Sequence, residues 1–180
     1  RSMAFSDTEI PLDIDGLRTG ESMFAPRLEA RFLQALAIGR HETVVEIGTG
    51  SGFMAALLAH EASQVDSYEI MPELAEFARA NLAREGVSNC KVHARSGAEL
   101  LGDTSWQADV ILLSGAVESV PAALIDRLRA GGRLGAVVGR APIMTAQILR
   151  LGERREVATE IMFETLVRPL RGFPVGDHFR

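Results

Sequence analysis

Three glycines alternate with small polar residues in Gly48-Thr49-Gly50-Ser51-Gly52, and a carboxylate, Glu46, stands two positions ahead of the first. The segment follows a β-branched run, Thr43 to Ile47, and opens an apolar stretch from about Gly52 to His60. Strand, bare turn and helix in that order make a seat for a ligand. Glycine lets the ligand lie against backbone, and the helix start offers outward N–H groups with positive partial charge. A second carboxylate, Glu69, closes the next β-rich run, Val65 to Ile70, 17 residues after Gly52. In a βαβ unit it falls at the carboxyl end of the neighbouring strand, where it can accept two hydrogen bonds from a ribose diol. A solvated loop acid is the plainer reading of Glu69.

Two ligand classes compete for such a loop. A dinucleotide fingerprint, G-x-G-x-x-G, needs a small residue at position 53, and this chain has Phe53. Glu46 would also repel a pyrophosphate. It suits a nucleoside that carries an amino group, as S-adenosyl-L-methionine does, with S-adenosyl-L-homocysteine as the product. The expected contacts are Glu46, Gly48, Thr49, Gly50, Ser51, Gly52, Glu69 and Ile70. Ser96 and Gly97 follow the third β-rich run, where an adenine ring would rest, and Ser114 follows the fourth, where small residues can wall a transfer site. Both are also the chemistry of ordinary turns.

The elements that must hold these residues alternate. A helix is expected over Ala25 to Ala37, with Pro26 in its first turn and Leu28, Phe32 and Leu36 on one face. After the glycine loop come a strand at Val65 to Ile70 and a helix from Pro72 to about Arg84, with Leu74, Phe77, Ala78 and Leu82 inward and Gly86 ending it. Further strands are expected at Cys90 to Ala94, Asp109 to Leu113 and Leu134 to Val138. A helix, Pro121 to Leu128, is expected to stop at Gly131-Gly132. Two longer strands, Ala146 to Leu151 and Val157 to Val167, can pair as a hairpin. The pattern is α/β and Rossmann-like: a mostly parallel twisted sheet, helices on both faces, and an antiparallel C-terminal edge.

Bulk properties set the bounds. The 180 residues, 47% hydrophobic, fit one domain with one core, and the mean hydropathy of +0.10 is too high for disorder. No apolar run reaches the roughly 18 to 20 residues of a membrane span. Arg1-Ser2-Met3-Ala4 carries no apolar signal segment and does not read as a natural start. A net charge of -5 disfavours a nucleic-acid partner. The single cysteine, Cys90, forms no internal disulfide and points to the cytoplasm. Four histidines, His41, His60, His93 and His178, show no metal-ligand spacing, so no metal is expected.

Taken together, these pieces resemble the class I methyltransferase fold, and Gly39 to Gly139 is similar to the protein-L-isoaspartate O-methyltransferase family almost throughout. The similar stretches are Val44 to Ala59, Tyr68 to Leu82 and Leu124 to Gly139. Upstream, Met23-Phe24-Ala25-Pro26 sits where that family carries an S-A-P-H-like signature, and Met162-Phe163-Glu164 to Pro169-Leu170 resembles its terminal strand. The resemblance implies one domain over 1–180: an acceptor-side segment 1–40, a cofactor-binding core 41–140 and C-terminal strands 141–180. It implies carboxyl methylation of L-isoaspartyl residues in damaged protein or peptide acceptors. Positioning would supply most of the acceleration, so no catalytic acid–base residue is assigned. Phe24, Ala25, Pro26 and Arg27 are the expected acceptor-side residues. Three positions depart from the family: Phe24 replaces a hydroxyl, Arg27 a histidine, and Ser96 an acid. They leave open a different acceptor, small molecule or RNA, or a relative that binds cofactor without turnover.

Overall fold

The computed structural model describes residues 7–14 and 16–174. Seven strands form one sheet, in chain order β3 (Thr43–Ile47), β4 (Gln64–Glu69), β5 (Cys90–Ala94), β6 (Ala108–Val117), β7 (Leu128–Arg140), β8 (Ile143–Leu151) and β9 (Val157–Glu164). Their spatial order is β5-β4-β3-β6-β7-β8-β9. The first five in that row run parallel, and β8 and β9 pair antiparallel at the edge. The chain steps outward from β3 to β4 to β5 and then returns to lay β6 on the other side of β3. That reversal opens a crevice at the carboxyl ends of β3 and β6, where open α/β sheets bind ligands.

Three helices cover one face: α1 (Pro26–Leu36), α2 (Phe53–Glu61) and α3 (Pro72–Arg84). Leu28, Phe32 and Leu36 of α1 and Met54 and Leu58 of α2 pack on Val44, Val65, Val110 and Leu112. Alternate residues of the same strands, Val45, Ile47, Ile111 and Leu113, face the other way against Leu100 and Leu124. Among the described residues, that opposite face carries a 3-10 turn, Gly97–Leu101, and one helical turn, α4 (Ala122–Ile125). The strands are buried on both sides, which is why they read as continuous apolar runs.

The structure departs from the sequence reading in four places. The helix expected at 121–128 shortens to α4, and Gly131-Gly132 lies within β7. A Cβ on Gly132 would sit 2.8 Å from the Arg129 carbonyl and 2.9 Å from that of Asp109, so Gly132 serves close strand approach, whereas Gly131 has open space and takes φ +77°. Strand β6 runs on to Val117 through an irregularity between Leu112 and Ala116, which frees Ser114 and Gly115 from the regular ladder. Phe77 is half-buried rather than inward. The fourth departure is an N-terminal hairpin, β1 (Ile10–Ile14) and β2 (Leu17–Met23), which period and composition did not signal.

Helix α1 is fixed at its far end by arginine. Arg133 of β7, 8% exposed, donates to the carbonyls of Leu36 at 2.5 Å and Ala37 at 2.9 Å, and pairs with both Glu42 oxygens at 2.6 and 2.8 Å. Arg150 of β8 donates to the Ala35 carbonyl at 3.0 Å. These donors satisfy carbonyls that a helix end leaves orphaned. Replacing Arg133 by Ala strands the Glu42 carboxylate and those carbonyls, and should cost about 3 kcal/mol of unfolding free energy, read from urea titrations of the two proteins.

Candidate functional site

The parallel register aligns the carboxyl ends of three strands, with Ile47 opposite Tyr68 on one side and Leu113 on the other. Gly48, Glu69 and Ser114 therefore emerge side by side. They border an open cleft of about 670 Å³, closed from above by Leu12, Glu21, Ser22 and Phe24 and from the C-terminal side by Arg168 to Arg171. A side chamber of about 290 Å³ continues behind the glycine loop, between Thr49, Ser51 and Met54 on one wall and Phe24 and Glu29 on another.

Glu69 holds the loop. It is 5% exposed, and its Oε2 accepts the Gly50 N–H at 2.8 Å while Oε1 accepts that of Met71 at 3.0 Å. Each oxygen keeps a second lone pair, and the carboxylate still lines the cleft. The three loop glycines have different reasons to be glycine. A Cβ on Gly52 would press on Ala78 of α3 at 3.2 Å, so its role is helix packing. A Cβ on Gly48 would meet Leu170 and the Ser114 carbonyl near 3.0 and 3.1 Å. At Gly50, with φ +54°, the one neighbour within reach is Leu12 of the hairpin, at 3.0 Å. Gly50 is thus the bare backbone that faces the cleft. Gly97 borders the same space, and a Cβ there would stand 2.3 Å from Ile47.

Glu46 differs from the sequence expectation. It is fully buried beneath the loop and lines neither cavity. Its Oε2 accepts from the Ser67 hydroxyl at 2.6 Å and its Oε1 from that of Ser114 at 2.9 Å, while the Thr49 and Ser67 hydroxyls lie 2.6 Å apart. Burial pushes its pKa up to about 7, against the two serine hydrogen bonds. Glu46 is the keystone under the loop, tying β3 to β4 and β6.

The remaining expected residues divide. Gly48, Gly50, Ile70, Gly97, Ser114 and Phe24 border the cleft, and Thr49 and Ser51 the chamber. Ser96 instead caps the 3-10 turn: its hydroxyl accepts the Ala98 N–H at 3.3 Å and Glu99 accepts the Ser96 N–H at 3.2 Å. Phe24 is 7% exposed and stacks on Phe32, with ring centroids 6.2 Å apart. Ala25, Pro26 and Arg27 border neither cavity. Arg27 is exposed and pairs with Asp7 at 2.8 Å, as a solvated first-turn charge. Sequence reasoning missed Leu12, Glu21, Arg168 and Glu29. Glu29 carried a legible signal, because it stands three residues before Phe32 and seven before Leu36 on the buried stripe of α1.

Glu29 is 4% exposed, and its carboxyl has no hydrogen-bond partner among the described residues. Burial first, then the nearby Glu46 charge, raises its pKa to about 8. Glu29 and Glu46 therefore hold their protons to higher pH in the fold, whereas in the unfolded chain both ionise near 4.5. The stability carried by the neutral forms is complete below about 4.5 and is lost as pH rises through 7 and 8. The ligand-free protein should melt at a higher temperature at pH 5.5 than at pH 8, and a Glu29→Gln, Glu46→Gln double variant should flatten that slope in calorimetric scans.

Solved structures share this architecture. A Plasmodium falciparum protein-L-isoaspartate O-methyltransferase beta-aspartate methyltransferase, solved in complex with S-adenosyl-L-homocysteine, superposes with TM-score 0.76 at 17% identity, covering 93% of this chain and 81% of its own. A protein-L-isoaspartate O-methyltransferase structure gives TM-score 0.80 at 23% identity, covering 95% of this chain and 55% of its own. The chain belongs to the protein-L-isoaspartate(D-aspartate) O-methyltransferase family, whose model matches residues 1–170. The protein-L-isoaspartate O-methyltransferase of Methanoculleus marisnigri is 39% identical over 137 residues, which are 76% of this chain and 60% of that protein. Its counterpart from Anaeromyxobacter dehalogenans is 37% identical over 174 residues, 96% of this chain and 78% of the relative. The chain thus spans less than two thirds of the Methanoculleus marisnigri and Koribacter versatilis relatives, 60% and 64% of their lengths.

Proposed function

We propose that this chain binds S-adenosyl-L-methionine in the cleft and methylates the carboxylate of L-isoaspartyl residues in protein or peptide acceptors, leaving S-adenosyl-L-homocysteine. The names its relatives carry support the reading, and so does the product held by the Plasmodium falciparum neighbour. The observation that carries it is the continuity of the cleft. A buried carboxylate edge, Glu69, and bare backbone at Gly50 stand at one end, and the exposed side chain of Arg168, without an ion-pair partner among the described residues, at the other. Neighbouring Arg171 is already engaged by Glu21.

The cofactor fits the residues present: Glu69 for the ribose, Gly97 and Ile70 for the base, Gly48 to Ser51 and Ser114 for the amino-acid end. Bound there, it supplies an electrophilic methyl on a sulfonium leaving group. The chain's own task is alignment. An isoaspartyl carboxylate is already ionised and gives up no proton, so no general base is required, and Arg168 can hold it in line with its guanidinium. Leu12 and Phe24 exclude water from the transfer point. The hairpin β1–β2 and the segment after β9 are the acceptor side in this reading, around a cofactor-binding core over 41–140. The half-buried free thiol of Cys90 suits a cytoplasmic protein.

Glu9 and Glu21 border the same mouth and favour a second reading, a neutral or cationic acceptor. Labelled methyl transfer separates the two. An isoaspartyl peptide should take up label while its normal aspartyl counterpart does not, and Arg168→Ala should raise KM for the peptide about tenfold, roughly 1.4 kcal/mol, with kcat little changed. Equal labelling of both peptides, or none, would reject the isoaspartyl acceptor.

A further inference from the structure

The side chamber has two unlike poles. One is the start of α2, where Ser51 and Met54 face in and the helix presents positive partial charge. The other is Glu29 of α1, a residue only 4% exposed, whose carboxyl opens onto the chamber with no hydrogen-bond partner among the described residues. A fold rarely keeps an acid this far from bulk water without a partner, since its charged form is poorly solvated there. The Ser114, Thr49, Ser67 and Ser22 hydroxyls are committed elsewhere: Ser114 donates to Glu46, Thr49 and Ser67 bond to each other, and Ser22 donates to Glu9, while Ser51 in the loop accepts the Phe53 N–H at 3.3 Å. A positive helix end and an acid across one small space complement an amino-acid zwitterion.

The chamber also lies where such a group would arrive. Cleft and chamber share Gly48, Gly50, Phe24 and Ser114. A nucleoside seated between Glu69 and Gly97 extends its sulfur-linked chain past Gly50 and into the chamber. We propose that Glu29 receives the α-ammonium group of the cofactor's amino-acid end, while the start of α2 takes the carboxylate. The inference rests on the S-adenosyl-L-methionine reading of the cleft and adds a residue to it. It also gives the acid a partner whose charge offsets both its burial and its repulsion by Glu46. Glu29 is then a cofactor-positioning residue carried on the acceptor-side helix, which couples the placement of α1 to cofactor capture.

Calorimetric titration with four ligands tests this on the full chain. They are S-adenosyl-L-homocysteine, its deaminated analogue with the carboxylate alone, its decarboxylated analogue with the amine alone, and 5′-methylthioadenosine with neither. Glu29→Gln should weaken S-adenosyl-L-homocysteine and the amine-only analogue at least tenfold, and leave the other two within about twofold. Equal weakening of all four would make Glu29 a structural residue, and weakening confined to the carboxylate-bearing ligands would make it a donor to that group. Either overturns the proposal, as does unchanged affinity throughout. If the unaltered protein binds none of the four, the cofactor reading itself fails and takes the proposal with it. Glu29→Leu guards against a folding artefact. Without ligand it should melt no lower than the parent protein, because it removes an unpartnered buried acid, and a large drop would contradict a ligand-serving role.

Discussion

The glycine loop keeps its shape because one buried carboxylate accepts both from the loop after β3 and from the turn after β4. Glu69 takes the Gly50 N–H with one oxygen and the Met71 N–H with the other. Loop and strand end are thereby fixed relative to each other before any ligand is present. Beneath them, Glu46 gathers the Ser67 and Ser114 hydroxyls from the two strands that flank its own. Removing either acid would leave buried donors without acceptors, and a buried orphan group costs more than the hydrogen bond it replaces is worth. The level strand ends, the bare backbone at Gly50 and the opening into the chamber all follow from these two anchors.

The same constraint explains the distribution of acid in the molecule. Glu29, Glu46 and Glu69 all stand within or under one crevice, and after burial their mutual repulsion is part of what raises the pKa values of Glu29 and Glu46. Such a crevice is poised for a cation, and a sulfonium with an ammonium beside it suits that field. The far side of the cleft is arranged differently. Arg168 and Arg171 come from the segment that bridges onto Ala116, with the Ala116 N–H donating to the Arg168 carbonyl at 2.8 Å. The cationic side chains thus lie on the C-terminal segment, away from the acids under the loop.

Much of this was legible in the residues. Thr43 to Ile47, Pro72 to Arg84 and Cys90 to Ala94 fold over the bounds that period and flanking turn residues give. Glu69, Gly50 and Ser114 fall together because a parallel βαβ register leaves little freedom. What did not show was set by tertiary contact. The hairpin strands Ile10–Ile14 and Leu17–Met23 have no regular alternation, and Leu12, Glu21 and Ser22 on them line the cleft. The helix expected after Pro121 gives way to β7, whose pairing with β6 outweighs local helix propensity. Glu46 was legible as an acid near the loop but not as one sealed beneath it, since spacing cannot tell which side of a strand end a carboxylate faces once two serines are there to receive it. For Arg27 the sequence favours a solvated first-turn charge over a site cation, and Asp7 pairs with it in solvent.

The central claim is that Glu69 serves two masters, the loop and the ribose of an adenosyl ligand. Titration of S-adenosyl-L-homocysteine into Glu69→Ala and Glu69→Gln variants tests it most directly. The account predicts a loss of about 1.5 to 3 kcal/mol for Ala, from lost charge-assisted hydrogen bonds, and a smaller loss for Gln, which keeps one acceptor oxygen. Affinity unchanged in both would mean that the nucleoside is held somewhere other than the carboxyl ends of β3 and β4.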